Sequence, residues 1–181
     1  MQVGKFNIDT LVGVALSASL MCVSSLISLP GAVAFTLQTL ALYFNLFFLG
    51  GRLTILSTAL YIVIGAVGVP VFAGFGGGVG RLFDATGGFI VGFLFAALVY
   101  TVFEKNAKKN RIYLALSTAF SLLTLYAFGS GWYFYLYTAH TLSEYGAVLS
   151  VTVLPYILPD IIKIFLAYFL SKRVKRAIKN K

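Results

Sequence analysis

The sequence is poor in the side chains that most enzymes and metal sites use. Its 181 residues include one cysteine, one histidine and five acidic residues. A single cysteine excludes a framework of internal disulfides, and Cys22 lies in an apolar run where a small side chain serves packing. His140 lacks the partner ligands that a metal site needs, so we expect it to be solvated. No Ser-His-Asp order, carboxylate pair or His-Glu-x-x-His motif is present, and the sequence therefore predicts no enzyme.

Charged residues are also scarce, while apolar residues dominate the chain. Only 10% of residues are charged and 60% are hydrophobic, whereas a soluble domain is usually about 45–50% apolar. We therefore expect one integral membrane domain, all-α, over residues 1–181. A spanning helix needs about 20 apolar residues, and six such segments, the second one short, predict a bundle of six transmembrane helices. They cover residues 10–29, 36–49, 53–69, 87–103, 112–137 and 147–170.

The distribution of the basic residues predicts how the bundle lies in the membrane. If the N-terminus is cytoplasmic, twelve of the fourteen lysines and arginines fall in inner loops or the C-terminal tail. The positive-inside rule then predicts a multi-pass protein of the cell membrane with both termini cytoplasmic. The net charge of +9 therefore indicates a tail, 171–181, that anchors the topology beside anionic lipid, and not a nucleic-acid site. The run 11–29 exceeds the 7–15 residues of a signal-peptide core, so we expect it to stay as the first helix.

The last apolar segment carries two opposite charges, Asp160 and Lys163. Three residues apart, they share one face of a helix. A charge at mid-bilayer costs about 2.5–3.5 kcal/mol, so the pair must face the protein interior. Pro155 predicts a break in the helix, and Pro159 predicts that its second half begins beside Asp160. Intramembrane ionisable groups are usually functional, although a closed pair that only specifies helix packing is the alternative.

A glycine-rich outer loop separates the third and fourth segments. Seven glycines lie between Gly74 and Gly88, and they permit positive φ angles and close backbone approach. No Gly-Lys-Ser or Gly-Lys-Thr occurs, so the loop is not predicted to bind a nucleotide. Three phenylalanines, among them Phe72, favour a lid over a cavity instead.

Two polar or aromatic residues near the outer side are further candidates. Gln38 can hold a neighbouring loop or a ligand, because its amide both donates and accepts. Trp132 either belongs to an interfacial aromatic belt or turns inward to stack on an apolar ring of a ligand.

The first segment has small residues at helical spacing: Ala15, Ala18, Ser19 and Cys22. Such spacing lets another helix approach closely within lipid. The neighbouring helix belongs either to this chain or to a partner subunit, and the spacing leaves both open.

Four motifs in order give the chain a family resemblance. They are Phe-Thr-Leu-Gln-Thr-Leu at 35–40, Gly-Val-Pro-Val-Phe-Ala-Gly at 68–74, Thr-Gly-Gly-Phe at 86–89 and Leu-Pro-Asp-Ile-Ile-Lys at 158–163. Together they closely resemble the BioY family, the biotin-specific substrate-binding (S) subunits of energy-coupling factor (ECF) transporters. The chain differs from the family pattern at Asp84-Ala85, Gly76 and Ile90, which leaves a different small substrate open.

The resemblance implies a six-helix S-component with biotin bound near the outer face, beneath the loops. It implies as partners a transmembrane coupling subunit on the small-residue face of the first helix and two cytoplasmic ATPases. Biotin has ureido N–H groups that suit Asp160 as an acceptor, and a carboxylate that suits Lys163, which otherwise pairs with Asp160. The alternatives are an S-component for another vitamin or small carboxylate, or a membrane assembly protein without transport. The expected ligand-binding residues are Asp160, Lys163, Gln38, Phe72, Gly74, Gly76, Gly77 and Trp132, with no cofactor.

Overall fold

The computed structural model describes residues 7–31, 33–107, 109–139 and 141–180. Four residues with sequence-based expectations lie outside these ranges: His140 and the basic residues Lys5, Lys108 and Lys181. The described chain is helical apart from a short antiparallel hairpin, β1 (Ser28–Leu29) and β2 (Phe35–Thr36). The helices are α1 (Ile8–Leu26), α2 (Gln38–Phe48), α3 (Gly51–Ala66), α4 (Gly87–Ala107), α5 (Arg111–Tyr137), α6 (Leu142–Thr152) and α7 (Leu154–Lys179), with a 3-10 turn at Val79–Phe83.

The apolar segments form helices close to the predicted positions, but α2 and α3 are short. Four stretches are long and apolar enough to cross a membrane: α1, α4, α5 and the combined run Glu144–Lys179. The helix α3 is apolar but shorter. The helix α2 has 11 residues, about 16 Å at 1.5 Å per residue. The chain is thus mostly helical with several apolar helices, as a membrane bundle requires.

The last segment is divided just before Pro155, as that proline predicted. The break lies at Val153, whose backbone departs from helical geometry between α6 and α7. Pro155 occupies the first turn of α7, where its missing N–H costs nothing, while Pro159 lies inside the helix. The expectation that a helix begins beside Asp160 is therefore wrong. The helix starts six residues earlier, and the influence of its dipole falls off within the first turn.

The basic C-terminal stretch is helical in the described residues. The helix α7 continues through it to Lys179. It carries exposed basic side chains beyond the apolar part of the bundle, including Arg173 and Arg176.

Small residues set the tightest helix contact, between α4 and α5. A Cβ added at Gly88 would lie 2.2 Å from Cβ of Trp132, and one at Gly129 would lie 2.3 Å from the ring of Phe89. A side chain at Gly88 would meet Cβ of Trp132 and the backbone of Phe128, and one at Gly129 would displace the Phe89 ring. The helix α2 packs along α7 and α1 along α3, so the short α2 lies inside the bundle. Its Tyr43 and Leu42 are fully buried.

The small-residue set of α1 is divided between inside and outside. Ala18 is buried against the other helices of the chain, with 1% of its surface exposed. Ala15 and Ser19 are exposed, and Cys22 is half-buried. Ala18 therefore serves internal packing, whereas Ala15 and Ser19 lie on a free face of the bundle.

Candidate ligand-binding cavity

A small cavity lies where the hairpin, α2, α4, α5 and α7 meet. Its volume is about 50 Å³. Asp160 and Lys163 from α7 and Gln38 and Thr39 from α2 form its polar side. Because these four side chains converge on one space inside an apolar bundle, the cavity is the strongest candidate for a ligand site.

The two intramembrane charges form a closed ion pair at the wall of this cavity. Nζ of Lys163 donates to Oδ1 of Asp160 at 2.9 Å. The side chains are only 7% and 5% exposed, respectively. As expected, both face the protein interior, because an unpaired charge in lipid is costly.

Lys163 also holds the loop that covers the cavity. Its Nζ donates to the backbone carbonyl of Thr36 at 2.8 Å. The same Nζ lies 3.8 Å from the centre of the Phe35 ring, a cation–π geometry. The ammonium therefore fixes the second strand of the hairpin to α7, and it pairs with Asp160 as the alternative assignment expected.

Asp160 keeps acceptor capacity on the cavity side. Its Oδ2 accepts a hydrogen bond of 2.8 Å from the hydroxyl of Tyr126 on α5. With Lys163 on Oδ1, each carboxylate oxygen has one protein donor. An ionised carboxylate has about four acceptor positions, so about two remain for N–H donors of a ligand.

Gln38 belongs to a hydrogen-bonded chain that crosses the bundle. Its Nε2 donates to the hydroxyl of Tyr61 on α3 at 2.7 Å. Its Oε1 accepts from Oγ1 of Thr36 at 3.1 Å. Both amide atoms are thus oriented by the protein, and Gln38 serves a structural role while it also lines the cavity.

Aromatic and aliphatic side chains form the other side of the cavity. Phe89 and Phe93 reach it from α4, Tyr126 from α5 and Tyr156 from α7. The Tyr156 hydroxyl donates to the carbonyl of Val33 in the hairpin loop. The arrangement suits a compact ligand with an apolar body and a polar end.

The sequence profile of the BioY family matches residues 1–180 of the chain. The chain belongs to the BioY family. It is 32% identical to the biotin transporter BioY of Thermotoga maritima over 92% of this chain and 95% of that protein. A probable biotin transporter BioY of Pyrococcus horikoshii is 31% identical over 90% and 93% of the two chains.

A solved structure shares the fold of this BioY chain. It is the crystal structure of the S-component for biotin from an ECF-type ABC transporter, with a TM-score of 0.80. The superposition covers 97% of this chain and 95% of that one, at 19% sequence identity. The bundle therefore has the fold of an ECF S-component.

The glycine-rich loop of this BioY chain covers the cavity through fewer residues than the sequence predicted. Ala73 and Thr86 line the cavity, while Gly74, Gly76 and Gly77 do not. Gly76 pairs with Phe72 through two backbone hydrogen bonds, 2.9 and 3.1 Å long. These glycines shape the loop itself.

Close packing explains Gly77, and a positive φ angle explains Gly74. A Cβ at Gly77 would lie 2.7 Å from the carbonyl oxygens of Gly68 and Val69, and Gly74 has a φ of +70°. Each position favours glycine for a backbone reason. Neither glycine lines the cavity, and their role as ligand contacts stays a prediction.

Phe72 and Trp132 also lie outside the cavity. Phe72 is 1% exposed and packs edge-on against Tyr61, with ring centres 5.5 Å apart. Nε1 of Trp132 donates to the backbone carbonyl of Asp84 at 3.2 Å. Trp132 thus fastens the end of the lid loop to α5. Phe72 packs the lid loop against Tyr61 of α3.

Asp84 is the centre of a polar cluster at this outer corner. Its carboxylate accepts from the amide of Ala85 at 2.7 Å, from the Tyr137 hydroxyl at 3.1 Å and from Arg81 at 3.1 Å. The Ala85 amide, followed by Tyr137 and Arg81, lowers the pKa of the Asp84 carboxyl. The carboxylate is therefore ionised while the loop is fastened.

Several cavity residues were not among the sequence candidates. They include Thr39, Thr86, Phe89, Phe93, Tyr126 and Tyr156. Tyr126 belongs by sequence to an aromatic group expected at the membrane interface, yet it is buried and bound to Asp160. The only sequence signal for Tyr156 was its place between Pro155 and Pro159.

Proposed function

We propose that this chain is the biotin-binding S-component of an ECF-type vitamin uptake transporter. The observation that carries the proposal is the buried Asp160–Lys163 pair at the wall of a cavity inside the bundle, in a chain of the BioY family. Both relatives described above are named for biotin transport. The function is capture and transport, without an enzymatic step or a cofactor.

The cavity residues suit the chemical parts of biotin. The free acceptor positions of Asp160 match the N–H donors of the ureido group. Phe89 and Phe93 offer an apolar surface to the fused rings. Lys163 either transfers one hydrogen bond from the Thr36 carbonyl to the biotin carboxylate or stays on Asp160 and keeps it ionised.

Biotin binding requires the cavity to enlarge. A volume of about 50 Å³ holds only a few water molecules, and biotin is larger. The lid loop, with Ala73 and Thr86 at the cavity, and the hairpin held by Lys163 are the two covers that separate it from the outer face. We therefore infer that one or both move outward before biotin enters.

The assembly follows from the same proposal. Six crossings arise if α2 and α3 each count as one and Glu144–Lys179 counts as one interrupted crossing. Both termini are then cytoplasmic, as the distribution of basic residues favours. A transmembrane coupling subunit would dock on the face of α1 that exposes Ala15 and Ser19, with Cys22 at its edge, and would link the chain to two ATPases.

Equilibrium binding of labelled biotin to the purified full-length chain tests the proposal. We expect saturable binding that unlabelled biotin displaces and that Asp160→Asn weakens, while Asp9→Asn, on the exposed start of α1, leaves it unchanged. Saturable binding of another labelled vitamin or small carboxylate, with no binding of labelled biotin, would favour the alternative S-component. No small-molecule binding, with partner association intact in Asp160→Asn and Lys163→Ala, would favour an assembly protein.

A further inference from the structure

A second, larger pocket lies at the opposite end of the bundle from the Asp160 cavity. Its volume is about 410 Å³. It opens between the ends of α2, α4 and α7 and the start of α5, about 20 Å along α7 from Asp160. We call it the basic pocket, because Lys109, Arg111, Lys172 and Lys175 line it together with one acid, Glu104.

Basic side chains outnumber acidic ones in the lining of the basic pocket. Glu104 accepts from the backbone amide of Gly51 at 3.2 Å, at the start of α3. Lys109, Arg111 and Lys172 form no ion pair in the described part of the chain. Lys172 lies 4.3 Å from the centre of the Tyr168 ring, which holds its ammonium at the pocket without neutralising it.

Two of these cations lie at the N-terminus of α5, where a positive charge destabilises the helix. Arg111 is the first residue of α5, and Lys109 precedes it. The N-terminus of a helix carries partial positive charge, so cations there repel it and a bound anion is favoured. Together with Lys172, they make a site suited to a phosphate group.

A long apolar groove adjoins the basic pocket on the membrane-facing side. This lateral groove, about 830 Å³, runs between α5 and α7, whose backbones make few contacts with each other. Leu122 and Ala119 line it on one side, and Ile161 and Phe165 on the other. Phe47, Arg111, Leu114 and Tyr168 line both spaces, so the groove and the pocket adjoin each other.

We propose that the basic pocket and the lateral groove together form a binding site for one anionic phospholipid. The phosphate would lie among Lys109, Arg111 and Lys172, and the acyl chains would fill the groove between α5 and α7. Charge complementarity at one end and an apolar channel at the other match the two parts of such a lipid. A free phosphate would use the pocket but would gain nothing from the groove.

Native mass spectrometry of the full-length chain in detergent tests this site. Dioleoyl phosphatidylglycerol and dioleoyl phosphatidylcholine are added in equal amounts, since they share acyl chains and differ in net charge. We expect preferential retention of phosphatidylglycerol. In Arg111→Gln/Lys172→Gln, we expect its affinity to fall roughly 10- to 30-fold, from the loss of two charges near the membrane surface.

Matched variants distinguish this site from general attraction to a basic surface. Arg173→Gln/Arg176→Gln removes the same number of charges from α7 outside the pocket and should retain phosphatidylglycerol. Ala119→Trp fills the groove without changing charge and should reduce retention, whereas Leu116→Trp, on α5 but outside the groove, should not. Biotin binding is measured on the same samples, so that failure of the biotin proposal is recognised separately.

Three results would overturn the lipid site. Equal retention of the two lipids would show that no anionic headgroup is recognised. The groove would then be a surface for a partner protein and not for an anionic lipid. Equal loss in both double-charge variants would indicate a nonspecific basic surface. Retention that inorganic phosphate abolishes, and that Ala119→Trp leaves unchanged, would indicate a free-anion site.

Discussion

The Tyr126 hydroxyl on α5 donates a hydrogen bond of 2.8 Å to Oδ2 of Asp160 on α7. This contact joins two helices that are otherwise separated by the lateral groove. Tyr126 lines both that groove and the Asp160 cavity. It therefore separates the candidate biotin site from the lipid-facing side, while it orients the carboxylate that the ligand would use.

Tyr126→Phe removes the hydroxyl and keeps the ring. We expect biotin affinity to fall about tenfold, because a hydrogen bond to a charged group contributes about 1.5–3 kcal/mol and Asp160 loses its orientation. Isothermal titration with biotin measures the change. Tyr113→Phe, at an exposed position of the same helix, is the control and should bind normally. Equal affinity in both variants would contradict a role for Tyr126.

Neutralising one member of the Asp160–Lys163 pair leaves the other charge buried. We expect Asp160→Asn or Lys163→Met to destabilise the chain by about 3–5 kcal/mol, and the double variant to recover most of that loss. Thermal unfolding in detergent measures the stability, and labelled biotin measures binding in each variant. The double variant should fold without binding biotin. Normal binding there would assign the pair a purely structural role.

The exposed pair Arg81–Asp84 is a matched control for this experiment. It has the same three-residue spacing, a distance of 3.1 Å and side chains 42% and 40% exposed. Breaking it with Arg81→Gln should cost about 0–1 kcal/mol, as surface pairs do. A loss as large as that at Lys163 would indicate that the assay reports charge removal in general.

The sequence predicted the interior pair and the helical bundle because both follow from large free-energy costs that a short stretch of sequence reveals. A charge in lipid must be buried, and Asp160 and Lys163 share a face whatever the tertiary structure. The lid was harder to predict. A glycine near a candidate site suggests a ligand contact, but Gly77 is required by the carbonyls of Gly68 and Val69. Contacts between distant segments of the chain decide that difference, and no local pattern shows them.

The same limit applies to Trp132 and Tyr126 on α5. Both belong to a run of aromatic residues near one end of the helix, and the interfacial belt is the usual explanation. Their roles depend on what faces them: Asp84 for Trp132 and Asp160 for Tyr126. The sequence predicted an interruption at Pro155, and the helix is interrupted there. The first turn of a helix accepts proline, so α7 begins at Leu154 and not beside Asp160.

Two glycines of α5 give a clean test of cavity shape. Gly129→Ala places a Cβ 2.3 Å from the ring of Phe89, which lines the cavity, so the ring must move. Gly131→Ala meets no atom within 4 Å and should stabilise the helix by up to about 1 kcal/mol. We expect biotin affinity to fall at least about fivefold in Gly129→Ala only, the effect of about 1 kcal/mol. Labelled-biotin binding measures both variants, and equal affinities would remove Phe89 from the site.

Acid should loosen the lid at Asp84. Its pKa is lowered in the folded chain, chiefly by the Ala85 amide. The stabilisation that the ionised Asp84 carboxylate contributes is therefore complete above the unfolded pKa of about 3.9. It is lost as the pH falls through the lower folded value.

Trp132 is the only tryptophan and donates to the Asp84 carbonyl, so its fluorescence reports this corner. We expect its emission to change below about pH 4 in the unmodified chain, with no such change in Asp84→Asn. The exposed Asp9→Asn should behave like the unmodified chain, and a transition that persists in Asp84→Asn would assign the acid response to another group.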